Sequence, residues 1–276
     1  MTGWRPWHRH HQEERPSAPQ RVGLVLGGGA LRGAAHLGAL GVLEQAGFRP
    51  AVITGTSVGA IIGAGLAAGV SAEDMWETFR ELEWRDVAKP AWKSKLSMLE
   101  SDPLGGLIAR VTQVETIEDL SLPFAAIACD LLTGSRVTII SGDLRRALAG
   151  SSAIPAAFEP VKAGSAMLVD GGVVDNLPVE AARELGADYV VAIDIMPALD
   201  GSFTPKDVRD VVLMSWNIVE HNTEGGRDLA DIVITPDVAR ISLSDFRQIP
   251  LAFEAGAAAA EAALPRIRAD LGLAAG

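Results

Sequence analysis

The feature that most constrains the fold is an alternation of short, β-branched apolar runs with longer helical patterns, which begins at Val22. This alternation is typical of βαβ units and of a mainly parallel sheet. Because the strand candidates are apolar throughout, we predict an α/β fold with helices on both faces of the sheet. The predicted strands are VGLVL, AVIT, FAAIACD, RVTII, AMLVD, YVVAID and DIVIT. The predicted helices span residues 31–46, 58–68, 72–82, 143–148, 178–185 and 206–220, with an Ala-rich one from Leu251 onward.

The composition excludes several classes of partner and site. The chain has 276 residues, of which 48% are hydrophobic and 21% charged, as expected for a globular protein. Its formal net charge of -11 argues against binding to nucleic acid and against attraction to anionic bilayers, so any membrane contact is expected to be transient and apolar. The single cysteine, Cys129, rules out an intrachain disulfide and a cysteine-based zinc site, and its apolar surroundings predict a buried thiol.

The first twenty residues differ from the rest of the chain. They hold His8, His10 and His11 among Pro, Gln, Glu and Arg, a composition that favours a disordered tail over a metal site. They contain no apolar core of signal-peptide length, and no later run is long enough to span a bilayer, so we expect a soluble, cytoplasmic protein. Nothing in residues 21–276 resembles an interdomain linker, which predicts a single domain there.

One segment, Glu83 to Gly106, departs from the strand and helix pattern. It carries Trp84 and Trp92 with no clear period. In an α/β fold such an insertion is expected near the loop end of the sheet. It is interpreted either as a substrate-covering lid or as an irregular loop whose tryptophans pack on the core, and the second interpretation is slightly favoured.

A glycine-rich loop, LGGGALRG, follows the first strand. Gly27 and Gly29 match the start of the dinucleotide pattern G-x-G-x-x-G, but Arg32 occupies the third glycine position and no acidic residue ends the next strand. A Walker loop also fails, because no Gly-Lys-Ser/Thr follows. The free N–H groups at the start of a helix favour an anion, which is either a bound phosphate or a transient oxyanion.

The next strand–helix unit supplies a candidate nucleophile. Ser57 lies in the one G-x-S-x-G of the chain, between Gly55 and Gly59, after AVIT and before a helix of small residues. In that context a sharp turn strains the serine backbone, exposes its hydroxyl and tolerates only small neighbours. The alternative interpretation of Ser57 is a simple helix N-cap.

A serine nucleophile needs a base. Outside the tail the histidines are His36, which lies among Ala and Leu as a packing residue would, and His221 at the end of a helix. An ordered Ser-Asp-His triad is therefore poorly supported, and a carboxylate is the alternative.

Three aspartates end predicted strands: Asp130, Asp170 and Asp194. Asp170 is the best candidate because the glycines after it, Gly171 and Gly172, allow the chain to turn abruptly beneath its side chain. Asp175 follows closely in the same loop, where an exposed turn residue is the default interpretation. Because an aspartate is a weak base, this arrangement places more of the catalysis on the oxyanion donors.

These motifs together resemble the patatin-like phospholipase family, in its short bacterial branch. GGGALRG is similar to the family's oxyanion-hole loop, GTSVG to its nucleophile elbow and DGG to the loop of its catalytic aspartate. SSAIPAAFEPV and DNLPV are similar to further family stretches, so that the resemblance runs from about Arg21 to at least Ile195. It implies a three-layer α/β/α sandwich with a Ser-Asp dyad that hydrolyses acyl esters of lipids, namely phospholipids or lysophospholipids. No cofactor is expected, and no metal is expected because the domain lacks a histidine–carboxylate cluster with ligand spacing.

The resemblance also implies roles for individual residues. Ser57 is the expected nucleophile and Asp170 the expected base. The amides of Gly28 and Gly29, helped by Gly27 or Ala30, are expected to form the oxyanion hole, and the loop is expected to be supported by Arg32 and Gly33. One departure is that Ala30 and Leu31 separate the glycines from Arg32, where many relatives have one residue, which leaves open which amides face the site.

Two other functions remain as alternatives. The first is a lipid-sensing or regulatory protein that binds acyl chains without turnover, against which the intact Ser57, Asp170 and glycine loop count. The second is a histidine-dependent α/β-hydrolase, which a replacement of His221 would distinguish.

Overall fold

The structure is a computed structural model that describes residues 21–91, 94–100, 107, 110–112, 114–196, 204–206, 208–223 and 226–274. The tail predicted for residues 1–20 lies outside these residues. The strands are β1 (Val22–Leu26), β2 (Val52–Thr56), β3 (Lys89–Pro90), β4 (Leu99–Glu100), β5 (Phe124–Asp130), β6 (Ser135–Ile139), β7 (Val161–Ala163), β8 (Ala166–Asp170), β9 (Tyr189–Ile193) and β10 (Ile232–Ile234). The helices are α1 (Ala34–Gln45), α2 (Val58–Ala67), α3 (Ala72–Phe79), α4 (Trp84–Val87), α5 (Leu144–Ser151), α6 (Val179–Glu184), α7 (Val208–Asn222) and α8 (Ile249–Leu271).

The central sheet is mixed but mainly parallel, as predicted. Strands β10, β9, β1, β2 and β5 lie side by side in parallel. The rest of the sheet is antiparallel: β6 and β8 pair with β5, and β7 pairs with β8. The seven strands predicted from sequence are all present, with ends shifted by at most two residues, and the short strands β3, β4 and β7 were not predicted.

The apolar side chains of the sheet divide between two faces. Along β1, Leu24 and Leu26 belong to the larger buried cluster, whereas Val25 belongs to the smaller one. Successive side chains of a strand point to opposite faces, so these two clusters lie on opposite sides of the sheet. Helices α1, α2 and α8 contribute to the larger cluster, and α6 contributes to the smaller one. This is the predicted arrangement of helices on both faces.

The register of β5 brings the ends of two strands together. Ile127 of β5 is opposite Thr56, the last residue of β2, and the next residue, Ala128, is opposite Asp170, the last residue of β8. Residues 126–130 of β5 also pair with β6, which must therefore occupy the other edge of β5. The parallel β2 and the antiparallel β8 thus share one edge and meet at their carboxyl ends. Each of these ends carries one of the predicted catalytic residues.

Helices α1 and α8 approach each other closely because of two glycines. A Cβ placed on Gly38 of α1 would overlap the Phe253 carbonyl oxygen, and one on Gly256 of α8 would overlap the Ala35 carbonyl oxygen. The next glycine of α1, Gly41, has no atom within 4 Å of such a Cβ. The crossing therefore needs glycine at positions 38 and 256, whereas α1 has room for a side chain at position 41.

The segment that breaks the pattern contains some regular structure. It forms the short helix α4 and pairs β3 with β4, while Trp92 and residues 101–106 lie outside the described part. The N–H of Met98 donates to the Ala156 carbonyl (3.0 Å), which joins the segment to the loop before β7. The prediction that Trp84 packs on the core is wrong, because this side chain is 49% exposed and contacts Phe246 edge to face. Its helix, α4, is only four residues long, and none of those residues is buried.

Among the described residues, no helix combines the length and the apolar character needed to cross a membrane.

Candidate active site

Ser57 occupies a strained turn between β2 and α2. Its backbone has φ 55° and ψ -125°, a conformation that residues with a side chain rarely adopt. A Cβ on Gly55 would lie 2.5 Å from the Gly59 carbonyl carbon, and one on Gly59 would overlap the Leu26 carbonyl oxygen. Both glycines of the G-x-S-x-G motif are therefore required by close backbone contacts, and the serine between them is held in the turn.

The Ser57 hydroxyl donates a hydrogen bond to Asp170. The distance from Oγ to Asp170 Oδ2 is 2.7 Å, with Ser57 6% exposed and Asp170 fully buried. The other carboxylate oxygen accepts the N–H of Gly172 (2.8 Å), and the Asp170 N–H donates to the Ala153 carbonyl. Burial raises the pKa of Asp170 to about 7, while the bonds from Gly172 and Ser57 lower it. The carboxylate is thus a much better proton acceptor than an aspartate in water.

Gly171 and Gly172 fit the role predicted for them as turn residues. A Cβ on Gly171 would overlap the Ile127 carbonyl oxygen of β5. One on Gly172 would lie 3.0 Å from Glu220 Cγ of α7. The chain turns in this narrow space only because neither residue has a side chain.

Two hydroxyl side chains that sequence reasoning missed hold the serine and aspartate loops. Ser151, at the end of α5, accepts the Ser57 N–H (3.0 Å) and donates to the Ile127 carbonyl (2.6 Å). Thr56 donates to the Asp175 carbonyl (2.8 Å), which ties the end of β2 to the aspartate loop. Ser151 begins the family-like stretch SSAIPAAFEPV, which is the available sequence signal, but its partner could not be read from the sequence.

The glycine loop passes directly beside the nucleophile. A Cβ on Gly28 would lie 3.4 Å from Ser57 Cβ. The Gly27 N–H donates to the Ile193 carbonyl (3.1 Å), and the Gly28 N–H makes a long bond to the Asn176 carbonyl (3.3 Å). By contrast, the N–H groups of Gly29 and Ala30 have no partner within the described residues, and both backbones have positive φ (154° and 50°). Of the four amides predicted for an oxyanion hole, these two remain free and Gly27 is already engaged.

Arg32 and Gly33 anchor the far end of this loop. Arg32 is 5% exposed, and its guanidinium donates to the Ile241 carbonyl (2.9 Å) and to Asn217 Oδ1 (3.3 Å). Burial lowers the pKa of Arg32 to about 10, against the opposing effect of Glu220, so the side chain keeps its charge at neutral pH. A Cβ on Gly33 would overlap Val58 Cγ2, which shows how closely the loop packs on the start of α2.

The group bonded to the serine hydroxyl is a carboxylate rather than an imidazole. His36 is fully buried, and its Nε2–H donates to the Gly27 carbonyl (2.8 Å). Burial lowers the pKa of His36 to about 4, so the ring is neutral and serves as a packing residue under the glycine loop, as predicted. His221 lies in the last turn of α7.

The other candidate aspartates have structural partners. Asp130 accepts the Thr133 hydroxyl (2.9 Å) and the Met167 N–H (3.0 Å) at the turn after β5. Asp194 pairs with Arg227 and accepts the Met196 N–H. Asp175 is not an exposed turn residue as the default interpretation expected, since it is buried and pairs with Arg136 (3.1 Å). Burial raises the pKa of Asp175 to about 6, against the effect of Arg136.

The described residues contain no group of three or more His, Cys, Asp or Glu side chains placed to hold a metal ion. Cys129 is buried, as predicted.

Comparisons with known proteins agree with the fold and with the resemblance to a known family. An uncharacterized NTE family protein of Mycobacterium tuberculosis is 29% identical over 91% of this chain and 47% of its own length. Patatin-like phospholipase domain-containing protein 6 of Mus musculus is 35% identical over 63% of this chain and 13% of its own length. The chain therefore spans about half the length of the mycobacterial relative and a much smaller part of the mouse protein.

A solved structure and a family model complete the comparison. VipD from Legionella pneumophila matches with a TM-score of 0.56 at 16% identity, over 91% of this chain and 68% of VipD, which is a likeness of fold. The family model described as patatin-like phospholipase matches residues 24–183, a range that contains Ser57, Asp170 and the glycine loop. The chain belongs to the patatin-like phospholipase family.

Proposed function

We propose that this chain is a serine lipid acyl hydrolase of the phospholipase A type, which cleaves acyl esters of phospholipids or lysophospholipids. The observation that carries the proposal is the 2.7 Å hydrogen bond from Ser57, in its strained turn, to the fully buried carboxylate of Asp170. Membership in the patatin-like phospholipase family supports lipid hydrolysis in general. The pair of Ser57 and Asp170 supports ester hydrolysis by a mechanism that needs neither a histidine nor a metal.

In the first step Ser57 attacks the acyl carbonyl carbon. As the new Oγ–C bond forms, the hydroxyl proton passes to Asp170 Oδ2 and the carbonyl electrons move to the oxygen. The raised pKa of Asp170 supports this transfer, because a carboxylate near pKa 7 holds the proton far better than an ordinary aspartate at neutral pH. When the tetrahedral intermediate collapses, the ester C–O bond breaks and the leaving alcohol or lysolipid takes the proton from Asp170.

The negative oxygen of that intermediate needs hydrogen-bond donors. We assign this role first to the free N–H groups of Gly29 and Ala30, since that of Gly27 is committed to Ile193. The Gly28 N–H could join them if its long bond to Asn176 opens. A strained loop of preorganised amides beside the nucleophile stabilises charge that exists only in the transition state.

Water completes the reaction in a second, similar step. Asp170 accepts a proton from water, the hydroxide oxygen attacks the acyl carbon, and the Ser57 Oγ–C bond breaks. Ser57 recovers its proton from Asp170, and the fatty acid is released. The same residues therefore serve in both halves of the cycle.

The test is hydrolysis of a chromogenic acyl ester and of a lipid panel by purified wild type and variants. Ser57→Ala is expected to lower the rate at least about 10³-fold, while Ser135→Ala, which removes an exposed serine on β6, is expected to keep it. Activity is expected to persist with a chelator. Full activity in Ser57→Ala would contradict the proposal, and lipid binding without any turnover by wild type would favour the sensing alternative. Loss of activity in a folded His221→Ala chain would favour a histidine-dependent mechanism.

A further inference from the structure

A buried side-chain amide lies beside the candidate active site and makes no hydrogen bond to any residue that the structure describes. Asn176 follows the aspartate loop and is fully buried. Its Oδ1 and Nδ2 atoms both lack a partner among the residues that the structure describes. Its main chain is fully used, because its N–H donates to the Thr223 carbonyl (3.3 Å) and its carbonyl accepts the Gly28 N–H (3.3 Å). Burial of an amide without hydrogen-bond partners lowers the stability of the fold. Stability therefore does not explain why Asn176 is buried at this position.

The amide of Asn176 lies where the glycine and aspartate loops meet. A methyl group placed on Gly28 would overlap Asn176 Oδ1 and would lie 3.4 Å from Ser57 Cβ. A methyl group on Gly172 would lie 3.2 Å from the same oxygen. The amide oxygen and Ser57 Cβ therefore both lie within contact distance of the same point beside Gly28. The glycines at 28 and 172 provide the room that Asn176 occupies.

We propose that the Asn176 side chain is a further hydrogen-bond donor to the oxyanion, used when Ser57 attacks the ester. This rests on the proposed function, which supplies the negative oxygen. Because neither amide atom is bonded, the group can rotate about its Cβ–Cγ bond and present Nδ2–H₂ without breaking a hydrogen bond. A donor held out of water beside the reacting atoms stabilises such a charge more strongly than the same group does in water.

A purely structural role makes a different prediction. A structural amide is bonded in the resting protein, so its removal leaves broken partners and lowers stability. Asn176 has no partner to lose, so replacement by an apolar residue of similar size should leave stability unchanged or increase it. The same replacement should slow catalysis, because the donor is missing only in the transition state. Stability and activity are therefore expected to change independently.

The experiment compares Asn176→Leu and Asn176→Asp with wild type in Tm, kcat and KM on a soluble acyl ester. Asn176→Asp keeps the shape of the side chain, and above the pKa of the new carboxyl group it presents no donor and a charge that repels the oxyanion. In both variants we expect kcat to fall roughly 10²–10³-fold with KM within a few-fold, and in Asn176→Leu a Tm equal to or above that of wild type. Asn222→Leu, at an exposed position of α7, is the control and should leave Tm, kcat and KM unchanged.

Three results would overturn the proposal. They are an unchanged kcat in Asn176→Leu, a parallel fall of Tm and kcat in that variant, and loss of the fold in both variants, since each makes the amide dispensable or structural. Failure of the proposed function has a separate signature, in which wild type and Ser57→Ala are equally inactive and a fluorophosphonate does not label Ser57. An active wild type with an equally active, folded Asn176→Leu would refute the role of Asn176 alone.

Discussion

Helices α1 and α7 support the same glycine loop from different directions and by different means. Helix α1 continues directly from the loop, and its only buried polar side chain, His36, donates to the Gly27 carbonyl (2.8 Å). Helix α7 reaches the loop from outside, through Asn217, which accepts a hydrogen bond from Arg32 (3.3 Å), and through Glu220, whose charge acts on Arg32. Helix α1 supports the loop from within the apolar core, with one buried hydrogen bond, whereas α7 supports it through polar contacts with Arg32.

The two helices also differ in what they present to solvent. Helix α1 is buried along most of its length and crosses α8 at backbone contact near Gly38. Helix α7 turns polar residues inward and leaves a row of apolar side chains exposed: Val208, Val211, Val212, Ile218 and Val219. Their spacing places them on one stripe of the helix. Helix α1 is therefore held by core packing, whereas the described side chains through which α7 supports the glycine loop act by hydrogen bonding and charge.

This difference predicts that changes in α1 act on folding and that changes in α7 act on the site. The largest expected effect is in α1. Gly38→Ala is expected to lower the free energy of unfolding by about 3 kcal/mol or more, because the new methyl group overlaps the Phe253 carbonyl. Gly41→Ala, one turn later with open space around it, is expected to raise it by about 0.5–1 kcal/mol. Denaturant unfolding of the two variants measures the two changes in the free energy of unfolding. Equal changes in Gly38→Ala and Gly41→Ala would refute the close crossing of α1 and α8.

An intermediate effect is expected from the inward face of α7. Asn217→Leu removes a partner of the buried Arg32 guanidinium and should lower the free energy of unfolding by about 1 kcal/mol. Because Arg32 anchors the glycine loop, the variant should hydrolyse the ester more slowly than wild type even under conditions where it is fully folded. Unfolding then does not explain the lower rate. Asn222→Leu on the exposed face is the control. Full activity in Asn217→Leu would mean that α7 does not support the loop.

The smallest effect is expected from the outward face of α7. Val212→Ser replaces an exposed valine, 60% accessible, and should change the free energy of unfolding by less than about 0.5 kcal/mol. Hydrolysis of a water-soluble ester should also stay unchanged, since the side chain lies away from Arg32 and Gly172. Thermal unfolding and a soluble-ester assay test this. A marked loss of stability would show that the apolar stripe is covered in solution.

The sequence predicted the parts of the fold that depend on local pattern. The apolar runs gave the strands, and the glycine motifs identified Ser57 and Asp170, which the structure brings into hydrogen-bond contact. Their catalytic roles stay predictions. Contacts that depend on distant pairing were not predictable, because β8 reaches β2 only through the antiparallel pairing with β5.

The same limit applied to the smaller polar residues of the site. Nothing in the local sequence marks Ser151 as the partner of the Ser57 N–H, or Asn176 as a buried amide without partners. Which amides of the glycine loop are free also depends on partners far along the chain, such as the Ile193 carbonyl that engages Gly27. For the same reason Asp175 was expected at the surface, whereas Arg136 from β6 pairs with it in a buried position.

The central claim is that Asp170 activates Ser57, and the pH dependence of Ser57 labelling by a fluorophosphonate tests it most directly. Only the ionised carboxylate accepts the proton, so the labelling rate of wild type should rise with pH and level off above the raised pKa of Asp170, about 7. Asp170→Asn should label about 10²–10⁴-fold more slowly, without that rise. A wild-type rate that is flat across this range, or an Asp170→Asn chain labelled as fast as wild type, would contradict the account.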